Sequence, residues 1–227
     1  SIYVKDFDLQ FNHFVVKDDE PLLYHTGMRM MFPELREAVS KIIDPNKIRY
    51  IGWSHFEVDE CGALNEWLAV APDAVPVCSV VGALVNITDF SDRPPRGLGR
   101  EDVLETGARR FRYISTPHLP HGWDAGSLFE ETDGTLFCSD LCHQTGDVEP
   151  LTRTADILGR TRQAILDYQS GPLMDYLPYT NNTKRLLYEL AGLRPKTLAT
   201  MHGSSFNGDC EELLKGLDPV LKEVFAG

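Results

Sequence analysis

The chain has no apolar run approaching the roughly 20 residues needed to span a bilayer, which excludes a transmembrane helix. It opens Ser-Ile-Tyr-Val-Lys-Asp, with no basic segment leading into an apolar one, so the sequence predicts no secretory leader. Ser1 in place of a starting Met fits a trimmed start or excision from a longer polypeptide. Positive charge is scarce: 22 Lys and Arg stand against 34 Asp and Glu, a net charge of −12. That balance argues against a nucleic-acid backbone or an anionic membrane surface as the main partner. Cysteine is sparse and odd in number, five at scattered positions (Cys61, Cys78, Cys138, Cys142, Cys210), which suits a reduced cytoplasm better than a disulfide framework. Internal repeats, low-complexity segments and a linker long enough to separate domains are also missing. The composition itself is ordinary for a globular protein, 42% hydrophobic and 25% charged over 227 residues. That length buries roughly 70% of its extended surface without staples. The expectation is one α/β domain over residues 1–227, located in the cytoplasm.

Alternating stretches over Phe7 to Val16 and Pro21 to His25, separated by Lys17-Asp18-Asp19-Glu20, predict a hairpin. Pro33 starts a helix over Glu34 to Ile43, and Pro45 ends it. Ile48 to Trp53 and Val75 to Val81 read as buried strands, with a helix face at Ala63, Leu64, Trp67 and Leu68 between them. A short helix comes next, through Ile87. Ser91 to Arg100, rich in Pro, Gly and Arg, reads as a loop. Strands are predicted at Phe111 to Ser115, Ser127 to Glu131, Leu136 to Ser139 and Lys196 to Thr200. Helices are predicted at Arg153 to Tyr168, Lys184 to Ala191 and Glu211 to Phe225.

Chemistry-bearing residues gather just past predicted strand ends. Ser54-His55-Phe56-Glu57-Val58-Asp59-Glu60 comes directly after the strand ending at Trp53. In an extended segment a spacing of two puts His55, Glu57 and Asp59 on one side, three metal-ligand types within five residues. The alternative is a solvated acidic turn in which Asp59 or Glu60 caps the next helix. His118-Leu-Pro-His121-Gly-Trp-Asp124, Ser139-Asp140, Met201-His202-Gly203 and Tyr24-His25-Thr26-Gly27 are the other four places. Each ends a strand, so all five can open on one edge of one core.

His55-x-Glu57-x-Asp59, then His121, Asp140 and His202, resembles the ligand order of the metallo-β-lactamase superfamily and, more narrowly, the diiron domain of flavodiiron proteins. Hydrolase members carry H-x-H-x-D-H and bind zinc; the diiron branch carries H-x-E-x-D, and Glu57 stands where the hydrolases have their second His. His121 lies 62 residues beyond Asp59, Asp140 a further 19, and His202 a further 62. The resemblance implies an αββα sandwich with His55, Glu57 and His121 on one iron, Asp59 and His202 on the second, and Asp140 bridging beside an oxo, hydroxo or water ligand. Glu60, where the family has a His, is an additional ligand or points away. His25, where hydrolases have Asp, is a neighbour of the metals in this reading, and His118 a bystander or supporting group. The family's flavodoxin domain has no counterpart before Gly227, so the expectation is no flavin in this chain. A flavin-free form resembles the oxygen-binding diiron proteins.

Charge supports iron independently. Two divalent ions bring +4; Glu57, Asp59 and Asp140 supply −3, and Glu60 makes a fourth carboxylate. Hard oxygen donors mixed with imidazole favour Fe or Mn over zinc. The functional expectation is a non-haem diiron protein that binds O2, with NO as a second ligand. It acts as an oxygen sensor, or as an O2 or NO reductase given an external donor, with a redox partner or signalling domain and a homodimer as the partners implied. The alternative is a dinuclear zinc hydrolase of thioesters, lactones or phosphodiesters. The cysteines read as small buried residues, and Trp123 and Tyr24 as apolar walls.

Overall fold

Leu22, Leu23 and Tyr24 are almost wholly buried, and the strand they form lies in the first of two units into which the chain packs. A computed structural model describes residues 1–225. His13–Ser115 with Trp123–Thr132 makes the first unit; Ser1–Asn12, Thr116–Gly122 and the described chain over 133–225 make the second.

In the first unit, five strands run in the order Phe14–Val16, Leu22–Tyr24, Tyr50–Gly52, Val75–Ser79 and Arg96–Leu98. The first pair is antiparallel and the other three are parallel. Parallel neighbours need crossover connections, and these carry the helices. Phe32–Ser40 has Pro33 in its first turn, where a missing N–H costs nothing, and buries Leu35 and Val39 one turn apart. Leu64–Val70 buries Leu64, Trp67 and Leu68. A helical run over 80–90, π-helical at Ala83–Ile87, precedes the fifth strand. That fifth strand corrects the expectation of a loop over Ser91 to Arg100. Arg96 to Leu98 pair with Val77 to Ser79, and Gly97 allows the approach, since a Cβ there would lie 3.1 Å from Cα of Val80. Val103–Glu105, Arg110–Ser115 and Gly126–Glu130 form antiparallel pairs in the same unit.

The second unit opens with the antiparallel pair Ile2–Val4 and Leu9–Phe11. The single long strand expected over Phe7 to Val16 is therefore two short ones, with different partners. They separate at Asn12, whose amide side chain donates to the carbonyls of Thr200 and Gly203 at 3.0 and 2.7 Å. Leu151–Thr152, Ser205–Phe206, Thr197–Thr200 and Thr135–Ser139 lie side by side in that order. The last two are parallel, with a register shift between Phe137 and Ser139, and Ser139 adopts φ 54°. Such a bulge bends a strand end and re-aims the next side chain, here Asp140. Helices Ile157–Gln169, Thr183–Gly192 and Cys210–Phe225 complete the unit, the first capped by Asp156 on the amide of Gly159. Among the described residues no helix is long and apolar enough to cross a membrane.

Candidate metal centre

Ligands in parallel α/β sheets collect beyond the carboxyl ends of strands. In the first unit Tyr50–Gly52 leads there into Trp53, Ser54 and His55, all buried. Nε2 of His55 lies 2.9 Å from Oε2 of Glu57, whose side chain is 46% exposed. The loop between them is fastened from several sides. Glu60 Oε2 accepts from the amides of Ser54 and His55 at 2.7 and 3.1 Å. Glu60 Oε1 accepts from the Ser54 hydroxyl at 2.9 Å, and Ser54 Oγ lies 2.7 Å from Nδ1 of His55. Asp124 Oδ2 accepts from the amide of Phe56 at 3.0 Å.

The extended geometry expected from His55 to Asp59 ends at Glu57. Val58–Cys61 is a helical turn, with the Glu57 carbonyl accepting from the amides of Glu60 and Cys61. Asp59 therefore sits in a first helical turn, and Glu60 points back into the core beneath His55. His25 holds φ 64° at the end of Leu22–Tyr24. Its Nε2 lies 3.5 Å from Oε1 of Glu60, and its carbonyl faces Nδ1 of His13 at 3.1 Å. Burial, and then the neighbouring His25, lowers the pKa of His13 to about 3, with Asp59 acting in the opposite direction.

In the second unit Asp140 presents its two oxygens to two different histidines. Oδ2 lies 3.0 Å from Nε2 of His121, and Oδ1 lies 3.5 Å from Nε2 of His202. Nδ1 of His202 sits 3.1 Å from the carbonyl oxygen of Gln10, and a carbonyl only accepts. Nδ1 therefore donates to Gln10, and Nε2 is the nitrogen turned toward Asp140. Two acceptors facing one another repel unless a cation sits with them, so this donor set fits a metal ion. Imidazole and carboxylate donors together suit iron or manganese.

Three residues near these groups have no role assigned from sequence alone. His143, three residues after Asp140, is buried with its ring centroid 4.9 Å from that of His202 and 5.0 Å from that of Tyr168. Tyr176 stands edge-on to His121 at 5.9 Å. Asp124 drew notice only as the end of a motif, although the Asp140-x-x-His143 and His121-x-x-Asp124 spacings were there to be read. His118 is exposed and Trp123 is 56% exposed, while Tyr24 is buried against the ring of His25. All five cysteines are free and buried. Burial pushes the thiol of Cys78 up to about 12 and that of Cys210 up to about 11.

Strand ends bearing histidine and carboxylate donors that could hold a metal, on this order of parallel strands and crossover helices, define a protein of the metallo-β-lactamase fold. The solved structure described as the peroxy diiron species of the chemotaxis sensor ODP shares that fold, with a TM-score of 0.72, 17% identity, and coverage of 95% of this chain and 86% of that one. More particularly, the chain belongs to the family described as ODP family beta lactamase, whose sequence model matches residues 9–203. It is 24% identical to the rubredoxin-oxygen oxidoreductase of Megalodesulfovibrio gigas over 202 residues, 87% of this chain and 49% of that protein. It is 27% identical to the anaerobic nitric oxide reductase flavorubredoxin of Pectobacterium atrosepticum over 138 residues, 59% of this chain and 27% of that protein. The chain thus spans half or less of the length of these curated relatives.

Proposed function

We propose that residues 1–227 act as one domain holding a non-haem diiron centre that binds O2, with NO as a second ligand, and that the domain serves as an oxygen sensor. His55, Glu57 and His121 would hold one iron and Asp59 and His202 the other, with Asp140 shared between them, as the resemblance to the family's motif implies at these six positions. The observation that carries this reading is the pose of Asp140, one oxygen toward His121 and the other toward His202. A carboxylate aimed at two separate imidazoles is arranged to serve two cations at once.

When bound, a ferrous pair supplies electrons to a diatomic ligand. The chain's own role is to present imidazole lone pairs and carboxylate oxygens in a fixed geometry and to wall the site. His143, Tyr168 and Tyr176 form that wall on the His121 and His202 side. Family membership supports the iron reading, and the likeness to most of the length of the ODP sensor chain supports sensing. A separate signalling partner reads the ligand state. The buried free thiols suit a reducing compartment, the cytoplasm in this proposal.

Protein produced with iron is expected to contain about two iron atoms per chain. After anaerobic reduction it is expected to change its visible absorption when O2 is admitted. Reduced, iron-loaded protein with no spectral response to O2 or NO overturns the proposal. Sustained O2 consumption with a supplied electron donor replaces sensing by reduction.

A further inference from the structure

Glu60 stands where the family motif continues with histidine, and it has no exposed surface. Its surroundings are specific. Two backbone N–H groups, of Ser54 and His55, point at Oε2, and the Ser54 hydroxyl points at Oε1. The backbone carbonyl of Glu60 in turn accepts from the amide of Thr26 at 2.6 Å, which ties the helical turn Val58–Cys61 to the His25 loop. A carboxylate that gathers three donors in this way is an acceptor at every contact.

Donor and acceptor accounting then runs in one direction. Ser54 has a single hydroxyl proton, and it goes to Glu60. Ser54 Oγ, 2.7 Å from Nδ1 of His55, is left to accept. Nδ1 of His55 therefore carries a proton, and Nε2, 2.9 Å from Glu57 Oε2, is the nitrogen left for a cation shared with that carboxylate. We propose that Glu60 is a positioning residue and not a metal ligand: acting through Ser54, it keeps the proton of His55 on Nδ1 and so offers Nε2 to the metal. This inference rests on His55 being a ligand, as proposed above. A carboxylate acting through a histidine on a metal is a general device that orients the ring and raises its basicity. Here a serine hydroxyl is interposed, and the carboxylate comes from a residue five positions along the same chain.

The proposal makes a directional claim that a merely structural role does not. In Glu60→Gln the amide keeps the shape and its carbonyl takes the two backbone N–H groups. Its NH2 then faces Ser54 Oγ and donates to it. The Ser54 hydroxyl turns round to donate to Nδ1 of His55, and the ring proton moves to Nε2, where it blocks the metal.

The test is long-range nitrogen–proton NMR of His55 in metal-free protein at a pH where the ring is neutral. It is read in a Glu57→Ala background so that no carboxylate holds a proton on Nε2, with Fe(II) titrations of the proteins that keep Glu57 alongside. In that background protein with Glu60 in place is expected to show the Nδ1–H tautomer and Glu60→Gln the Nε2–H tautomer. Iron affinity at the first site is expected to fall by on the order of 10- to 100-fold in that variant. Ser54→Ala retains both backbone bonds to Glu60 and removes the hydroxyl link, leaving Nδ1 of His55 3.5 Å from Glu60 Oε1, beyond the reach of a well-formed hydrogen bond. It is expected to lose the strict Nδ1–H preference and to weaken iron binding by a similar factor, and it serves if the Gln variant does not fold. An Nε2–H tautomer with Ser54 and Glu60 in place overturns the inference. So does a folded variant of either kind that keeps both the tautomer and the affinity seen with Ser54 and Glu60 in place. An Nδ1–H tautomer there, together with wild-type protein that takes up no iron, overturns the diiron proposal instead, so the two failures are distinct.

Discussion

The carbonyl oxygen of Gln10 holds Nδ1 of His202 at 3.1 Å and thereby makes that nitrogen the donor, with Nε2 turned to Asp140. Gln10 belongs to the short strand Leu9–Phe11, nearly two hundred residues away in sequence, and His202 and Phe11 form an isolated bridge beside it. A backbone carbonyl cannot donate, so no rearrangement of protons lets His202 present Nδ1 to a cation. The terminal strand pair thus sets the chemistry of a histidine that lies just past the strand Thr197–Thr200. Asp140, with Oδ2 3.0 Å from His121 and Oδ1 3.5 Å from His202, completes that half of the site.

Asp140→Asn removes the charge and one of the two acceptor oxygens that face His121 and His202. Its amide nitrogen meets a lone pair on one imidazole only by donating to it, which occupies that nitrogen. Iron content is expected to fall from about two per chain to about one or fewer, as read by elemental analysis after desalting. Retention of the full complement sinks the bridging assignment.

Glu57→His converts the motif to the hydrolase pattern. Replacing a hard oxygen donor by imidazole shifts preference toward zinc. Competition between zinc and iron is expected to favour zinc in the variant, with loss of the O2 response, whereas the wild type keeps iron. Unchanged selectivity removes Glu57 from the set of residues that decide the metal.

Much of this was legible in the sequence, for identifiable reasons. Periodicity located the helices around Leu35, Trp67 and Leu213, because their buried faces recur every three or four residues. Spacing placed His121, Asp140 and His202 near strand ends, and the structure sets both histidines on Asp140. Alternation misled at His55 to Asp59, since a period of two says nothing about a helical turn that starts at Val58. The direction of Glu60, the packing of His143 on His202 and the hold of Asp124 on Phe56 depend on contacts through space, which no local pattern records. The strand Arg96–Leu98 was hidden by Pro, Gly and Arg, which mark loops in general and edge strands in particular.

Trp67 is fully buried and donates from Nε1 to the carbonyl of Thr26 at 3.0 Å. Thr26 also receives the amide of Ala63 on its hydroxyl, so Trp67 underpins the loop that carries His25. Trp67→Ala is expected to cost about 3–5 kcal/mol of stability, and Trp67→Phe considerably less, mainly the lost hydrogen bond of about 1 kcal/mol. Chemical denaturation with unchanged slope checks both values. Equal losses in the two variants contradict the cavity account.

The thiols predict a second chemical signature. Burial keeps all five as protonated thiols at neutral pH, and the thiolate is the reactive form. Native protein is expected to react slowly with a thiol reagent at pH 8 and to titrate five thiols once denatured. Rapid labelling of Cys138 or Cys142, which flank Asp140, in the folded protein contradicts their assignment as packing residues.

Asp18 carries the clearest pH dependence away from the metal residues. The hydroxyl of Thr106 donates to its carboxylate at 2.7 Å, and the amides of Ala108 and Arg109 add two further bonds. These bonds, the Thr106 hydroxyl first, hold its pKa down at about 2, against 3.8 in a free side chain. A folded-state value below the unfolded one means that the ionised form stabilises the fold. That contribution is complete above the unfolded value, declines as the pH drops below 3.8, and is gone once the pH has fallen through about 2. Asp18→Asn cannot titrate, so its stability curve is expected to run lower than the wild type at pH 6 and to converge with it toward pH 2. Parallel curves across that window, measured by denaturant unfolding at each pH, show that Asp18 fastens the Thr106 to Arg109 turn without contributing to the acid sensitivity of the fold.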